Sequence, residues 1–204
     1  VVLYSGITVD DIDTGSGNEI TGAVVRISVN FQSGATHQDF LKINSSLSGS
    51  IAGTSITYAY NQTTGAMILT GQGTVAQYKA AIELVTFSMS GDNPTDFGTA
   101  LTRSFAVAVT DGLSVSDEVV ASVTVVGVND NPINTVGGTL TLNEDATATA
   151  LTGISIADAD ASVSSALMTV QLSVGRGIIT LNTGVAGGVT AGQITAGANG
   201  TATL

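Results

Sequence analysis

The chain has 204 residues but no cysteine, no tryptophan, one histidine and two prolines. Without Cys it can form no disulfide, no thiolate metal site and no Cys nucleophile. Only five Lys and Arg are present. Scattered as they are, they cannot assemble the basic patch that phosphate contacts need, which argues against nucleic acid and against anionic membranes. No apolar run reaches the roughly 20 residues of a membrane span, so no membrane insertion is expected. Aromatic residues make up 4% of the chain, which provides poorly for a sugar-stacking cleft, although the paired carboxylates a glycosidase would use are abundant. Charged residues make up 10%, against about 25% in ordinary globular domains.

What is present is Val, Thr, Ser, Ala and Gly, with hydrophobic residues at 43%. Val and Thr suit pleated, half-buried surfaces, and Gly and Asn supply turns. The fold class expected is all-β. Sixteen carboxylates give a net charge of −11. Clustered carboxylates repel one another unless a cation sits among them, so such a chain invites hard divalent ions.

Short strand-like runs recur: AVVRISV (23–29), DFLKI (39–43), SITYAY (55–60), AMILT (66–70), VTFSMS (85–90), SFAVAVT (104–110) and EVVASVTVV (118–126). Gly, Asn, Asp and Ser clusters separate them. Phe105, Val107 and Val109 alternate with smaller residues, the period of a strand with two unequal faces. Seven short strands at this spacing suggest a sandwich. One segment differs. TVAQYKAAIELV (74–85) sets Val75, Tyr78, Ile82 and Val85 at helical spacing, and the Thr74 hydroxyl can cap the first turn. One short helix is predicted near residues 74–84, linking two strands across an edge of the sandwich.

The pattern restarts after Pro132. GITVDDID (6–13) and GISIADAD (153–160) are near-copies, so Asp11 and Asp13 correspond to Asp158 and Asp160. TGAMILTG (64–71) resembles GRGIITLNTG (175–184). Two related but unequal modules are inferred, the first with a longer insertion over residues 30–56. The strand-like VVLYSGITV at one end and GTATL at the other lead us to expect a fragment of a longer protein, with no signal peptide at its start.

Between the modules a strand runs into VNDNP (128–132). Asp-x-Asp by itself is more often a solvated turn. Two copies at equivalent places, with Asn129, Asp130 and Asn131 between them, favour calcium, which takes about six to eight oxygen ligands. Residues two apart in extended chain point the same way, so Asp158 with Asp160, and Asn129 with Asn131, can each grip one ion. DIDTGSGNE is not an EF-hand loop, since Ser16 stands where that loop needs Gly and Gly22 where it needs Glu. GQGTVA (71–76), with Asp92 about twenty residues on, fits a dinucleotide fingerprint. The helix that follows is too short, and the flanking strands read as antiparallel. The glycines are read as a tight strand-to-helix turn instead. His37 has no Gly-x-Ser-x-Gly elbow to serve and reads as a surface residue. Asp92 and Asp96 read as loop residues with local backbone bonds. Sequons at Asn44, Asn61 and Asn199 matter only in a source that glycosylates.

VNDNP closing one module, NEDA opening the next, ADADA a dozen residues later, AVTDG before a final strand, and TGAMILTGQGTVAQYKAAIELVTFS together resemble bacterial cadherin-like repeats, the immunoglobulin-like modules of giant RTX-type, type I-secreted surface adhesins. The resemblance covers essentially the whole chain. It implies tandem Greek-key β-sandwich modules: module 1 over residues 1–128, lacking its first strand; a calcium-binding linker over 129–135; and the N-terminal part of module 2 over 136–204. Gly127 stands in place of the pattern's first Asp, and Pro132 comes one residue early, so one or two calcium ions are expected at the joint. By the same resemblance Glu144 serves the far junction, and Asp111 faces a preceding module with Asp11 and Asp13. The function implied is a non-enzymatic spacer or adhesive module, secreted or on the bacterial cell surface, with Ca2+ stiffening its joints. Its partners would be neighbouring repeats of the same chain. The alternative expectation is that module 1 binds a ligand or carbohydrate, or a second copy, through the loops of its insertion. Unpaired sheet edges at the ends of both modules suggest self-association by strand addition.

Overall fold

A computed structural model describes residues 1–10, 19–34, 37–161 and 167–203. The chain is mostly β, with antiparallel sheets. It divides into two compact units, Val1–Ala161 and Ser162–Leu204.

Unit 1 holds the strands β1 (Glu19–Val29), β2 (Gln38–Ile43), β3 (Ser48–Ser50), β4 (Thr57–Asn61), β5 (Ala66–Thr74), β6 (Val85–Ser90), β7 (Thr102–Thr110) and β8 (Val119–Thr124). Six of them form a sheet in the order β3-β4-β5-β1-β7-β8, and β2 pairs with β6 in a second sheet. The first strand in sequence is thus central, hydrogen-bonded antiparallel to β5 on one side and β7 on the other. Residues 1–3 run along β6: the Phe87 amide donates to the Val1 carbonyl at 2.8 Å, and Val2 bridges Thr86 antiparallel.

Strict alternation explains which faces are buried. In β2, Asp39, Leu41 and Ile43 point inward, and in β4, Tyr58 and Tyr60 do. One hydrophobic cluster draws on both sheets, with Val25, Met67, Leu69, Phe105 and Val107 from the large sheet and Leu41, Ile43, Val85 and Phe87 from the small one. Phe87 meets Phe105 edge to face, their centroids 4.9 Å apart. Each such side chain contributes about 1.5–3 kcal/mol by leaving water. The β4 tyrosines also tie the sheets with polar bonds. Tyr58 donates its hydroxyl proton to the Ile43 carbonyl at 3.1 Å, and Tyr60 to the Asp39 carbonyl at 2.8 Å. A tyrosine that buries its ring needs such a partner for its hydroxyl.

The helix α1 spans Val75–Glu83, between β5 of the large sheet and β6 of the small one. Thr74 caps it in a reciprocal box: the Gln77 amide donates to Thr74 Oγ1 at 3.2 Å, and the Thr74 amide donates to Gln77 Oε1 at 2.8 Å. Tyr78, Ala81 and Ile82 are its buried face. Gly71 and Gly73 lie inside β5 rather than in the turn expected of them. Gly71 has φ +122°, and a Cβ there would fall 2.2 Å from the Ser55 carbonyl oxygen, so a close backbone approach selects glycine at that position. The expected insertion, residues 30–56, contains all of β2 and supplies half of the second sheet.

Past β8, two three-residue strands pair antiparallel, β9 (Ile133–Thr135) with β10 (Ser155–Ala157). In unit 2 the described residues form a short 3-10 turn (Ala191–Gln193) and two isolated antiparallel bridges, Ser173 with Thr203 and Ile179 with Thr201. There the Asn199 side chain accepts from the Leu181 amide at 2.8 Å and donates to its carbonyl at 3.1 Å, replacing one rung of a ladder.

Candidate metal centre

The β9–β10 pair, within unit 1, brings the expected linker beside the Asp-x-Asp. Ile133 pairs with Ala157, and Thr135 with Ser155. Continued beyond the paired residues, the same register sets Pro132 across from Asp158 and Asp130 across from Asp160. The side chains agree with this extension. The Asp130 amide donates to Asp160 Oδ2. The Asp160 amide donates to Asp158 Oδ1 at 2.9 Å. The Asn129 side-chain nitrogen donates to the Asp130 carbonyl at 2.9 Å. Its amide nitrogen is thereby engaged, and its Oδ1 is the end left to accept.

The Asp130 backbone amide, Asp160 and Asp158 are therefore linked in sequence, and Asn129 and Asn131 lie in the same linker, exposed. None of the ion pairs among the described residues involves these carboxylates. The ion pairs lie elsewhere: Arg26 with Glu118, Lys79 with Glu83, and Arg103 with Asp39. Adjacent negative groups with no basic side chain to neutralise them favour an external cation. Among the described residues no three carboxylate or imidazole side chains converge into a metal cage. The donors at the joint are all oxygens from Asp, Asn and linker carbonyls, which is the ligand chemistry of a hard cation. Two of the carboxylates are already oriented by backbone amides.

Of the remaining expected ligands, Asp111 and Glu144 make local contacts of their own. Asp11 and Asp13 lie outside the described residues. Asp111 closes its own turn: Oδ1 accepts from the amides of Leu113 and Ser114, each at 2.7 Å. Those amides, Ser114 first and then Leu113, hold its carboxyl below the usual carboxylate range. Glu144 is exposed in a turn that the Ala146 amide closes on the Asn143 carbonyl at 3.3 Å, with Asp145 at φ +64°. Among the described residues, neither Asp111 nor Glu144 bonds to the joint carboxylates.

The sequence reading missed the polar pair with the deepest burial. Arg103 on β7 and Asp39 on β2 are 0% and 1% exposed, and Arg103 Nε donates to Asp39 Oδ2 at 2.7 Å across the two sheets. The Gln32 amide donates to the same oxygen at 2.9 Å. Strand parity carried the signal. Position 103 is in phase with Phe105 and Val107, and position 39 with Leu41 and Ile43, so opposite charges lie on the core faces of two strands.

Comparison with family models, with curated proteins and with solved structures finds no match to this chain.

Proposed function

We propose that this chain is a non-enzymatic structural segment of a secreted or cell-surface bacterial adhesin, built of cadherin-like, Greek-key sandwich modules whose joint is stiffened by calcium. One observation carries the reading. The Asp130 backbone amide donates to the Asp160 carboxylate just beyond the β9–β10 pairing, which supports a shared locus for the linker and the repeated Asp-x-Asp. Asp130, Asp158 and Asp160 would hold the ion, with Asn129, Asn131 and linker carbonyls completing its oxygen shell. Calcium bound there would neutralise carboxylates that otherwise repel, and would lock residues 129–135 against residues 155–160. The work of such a module is mechanical: reach, a fixed angle at the joint, and resistance to proteolysis. Its partners are adjoining modules of the same long chain. Asp111, with Asp11 and Asp13, would serve a second joint of the same kind, and Glu144 a further one.

Calorimetric titration with calcium tests the proposal. Extracellular sites of this type bind at about 10⁻⁴–10⁻³ M, so the titration must reach millimolar concentrations. Asp158→Ala and Asp160→Ala are expected to weaken binding, and Asp92→Ala, in a loop outside the joint, to leave it unchanged. Equal affinity in all three variants refutes the assignment.

A further inference from the structure

The Arg103 guanidinium does more than pair with Asp39. Nη1 donates to the Ala100 carbonyl and Nη2 to the Pro94 carbonyl, both at 2.7 Å. One planar fork therefore grips both ends of the loop between β6 and β7. Within the loop, Asn93 Oδ1 accepts from the Phe97 amide at 3.0 Å and from Thr95 Oγ1 at 3.2 Å. The Ala100 amide donates to the Thr95 carbonyl at 2.8 Å. Asp96 and Phe97 sit consecutively at φ +48° and +53°. Two successive non-glycine residues in that region persist only where the surroundings over-determine them.

The far side of this loop supports the root of the linker. The Val125 amide donates to the Leu101 carbonyl at 2.8 Å, and Val125 is buried. Buried Thr95 lies against Gly127, with its Cγ2 3.5 Å from where a Cβ on that glycine would stand. Asn129 follows two residues later. A continuous chain of contacts thus runs from the buried ion pair through the loop to the start of the linker.

We propose that Arg103 is a positioning residue for the joint. By fixing the loop at residues 93–101 it sets the direction in which residues 125–128 leave the large sheet, and hence where Asn129–Asn131 meet the Asp-x-Asp. The clamp stands on its own contacts, and its consequence for calcium rests on the reading of the joint given above. The role needs a planar fork with three donors in fixed directions, which a lysine ammonium does not offer.

The test compares Arg103→Lys with Arg26→Lys, a control at the exposed Arg26–Glu118 pair, by amide hydrogen exchange on the whole chain without calcium. In Arg103→Lys, peptides covering 93–101 and 125–131 are expected to exchange about tenfold faster, while those of β1 and β5 keep wild-type protection. Arg26→Lys is expected to leave both sets unchanged. Uniform acceleration across all peptides would mean that Arg103 merely stabilises the fold, and unchanged exchange at 125–131 would break the link to the linker; either overturns the proposal. Should Arg103→Lys fail to fold, Thr95→Ala removes the contact with Gly127, keeps the ion pair, and carries the same expectation at 125–131. A calcium titration of the same variants separates the two readings. Weaker binding in Arg103→Lys than in wild type supports the positioning role, and equal binding overturns it. No binding even in wild type overturns the calcium joint, and the exchange result then decides the clamp by itself.

Discussion

Gly127 is a position where one atom can be added with a definite expectation. Its φ is outside the left-handed region, and a Cβ would meet Thr95 at 3.5–3.6 Å, ordinary contact distance. Gly127→Ala should therefore raise stability by about 0.4–1 kcal/mol, chiefly by narrowing the unfolded ensemble, as read from the midpoint of a urea melt. Gly127→Asp goes further, placing a carboxylate where the cadherin-like pattern has one; tighter calcium binding by calorimetry is expected. Asp39 is the opposite case. Asp39→Ala leaves the Arg103 guanidinium buried beside two carbonyls but without its counter-charge. Breaking a buried pair from one side costs about 3–5 kcal/mol, and the same melt should show a loss of that order. Strand parity at 39 and 103 runs against the general rule that Asp and Arg lie outside. Only the three-dimensional fact that β2 and β7 face each other makes them a pair.

At the scale of elements, alternation and turn chemistry made most strands visible, because each carries its own apolar face. The helix was legible through its cap as much as its period. Of the spaced residues, Tyr78 and Ile82 are buried in α1, while Val85 is buried as the first residue of β6. Thr74→Ala removes the acceptor for the Gln77 amide and should cost about 1 kcal/mol, measurable by chemical denaturation. Thr74→Ser should cost little, since the hydroxyl is retained. The three-residue strands β3, β9 and β10 were not legible. Ser-Gly-Ser has no apolar face, and Ile-Asn-Thr and Ser-Ile-Ala are too short for a period to show. They form because a neighbour in space offers a ladder. That is why the Asp-x-Asp copies could be read from the sequence as a repeat, whereas the pairing of Asp130 with Asp160 depended on a register visible only in the fold. The insertion shows the same limit: DFLKI is legible there as a strand, but its pairing with β6 and the delivery of Leu41 and Ile43 to the core are not, because the sequence does not say which strand faces which.

For the whole molecule, a net charge of −11 and the distribution of shifted groups define a window of pH and of calcium. Lys79, by its hydrogen bond first and then its charge, and the Gly6 amide hold the Glu83 carboxyl below its ordinary value, as backbone amides do for Asp111. Groups lowered on folding contribute stability above their unfolded pKa of about 4 and lose it as pH falls through the folded value. Burial first, with Glu118 beside Tyr4 and Asp39 beside Tyr60, raises those two phenols, and burial raises that of Tyr78. Groups raised on folding contribute fully below their unfolded pKa of about 10 and lose that contribution as pH rises beyond it. A plateau of thermal stability between about pH 5 and 9 is expected, falling on both sides. Calcium bound as proposed would add to stability inside this window. A ligand that binds only the folded state stabilises it by about 2.7 kcal/mol at a hundredfold excess over its dissociation constant, and by less at smaller excess. With sites of about millimolar strength, roughly 10 mM calcium gives a smaller but measurable increment. The melting temperature near pH 7 should rise on replacing chelator by calcium, and the rise should shrink when Asp158 and Asp160 are both replaced by Asn, which removes two of the proposed carboxylate ligands. A rise that persists in full in that double variant would place the ion on carbonyl oxygens rather than on these carboxylates. No rise in the wild-type chain would leave the linker held by the β9–β10 ladder and the Arg103 loop alone.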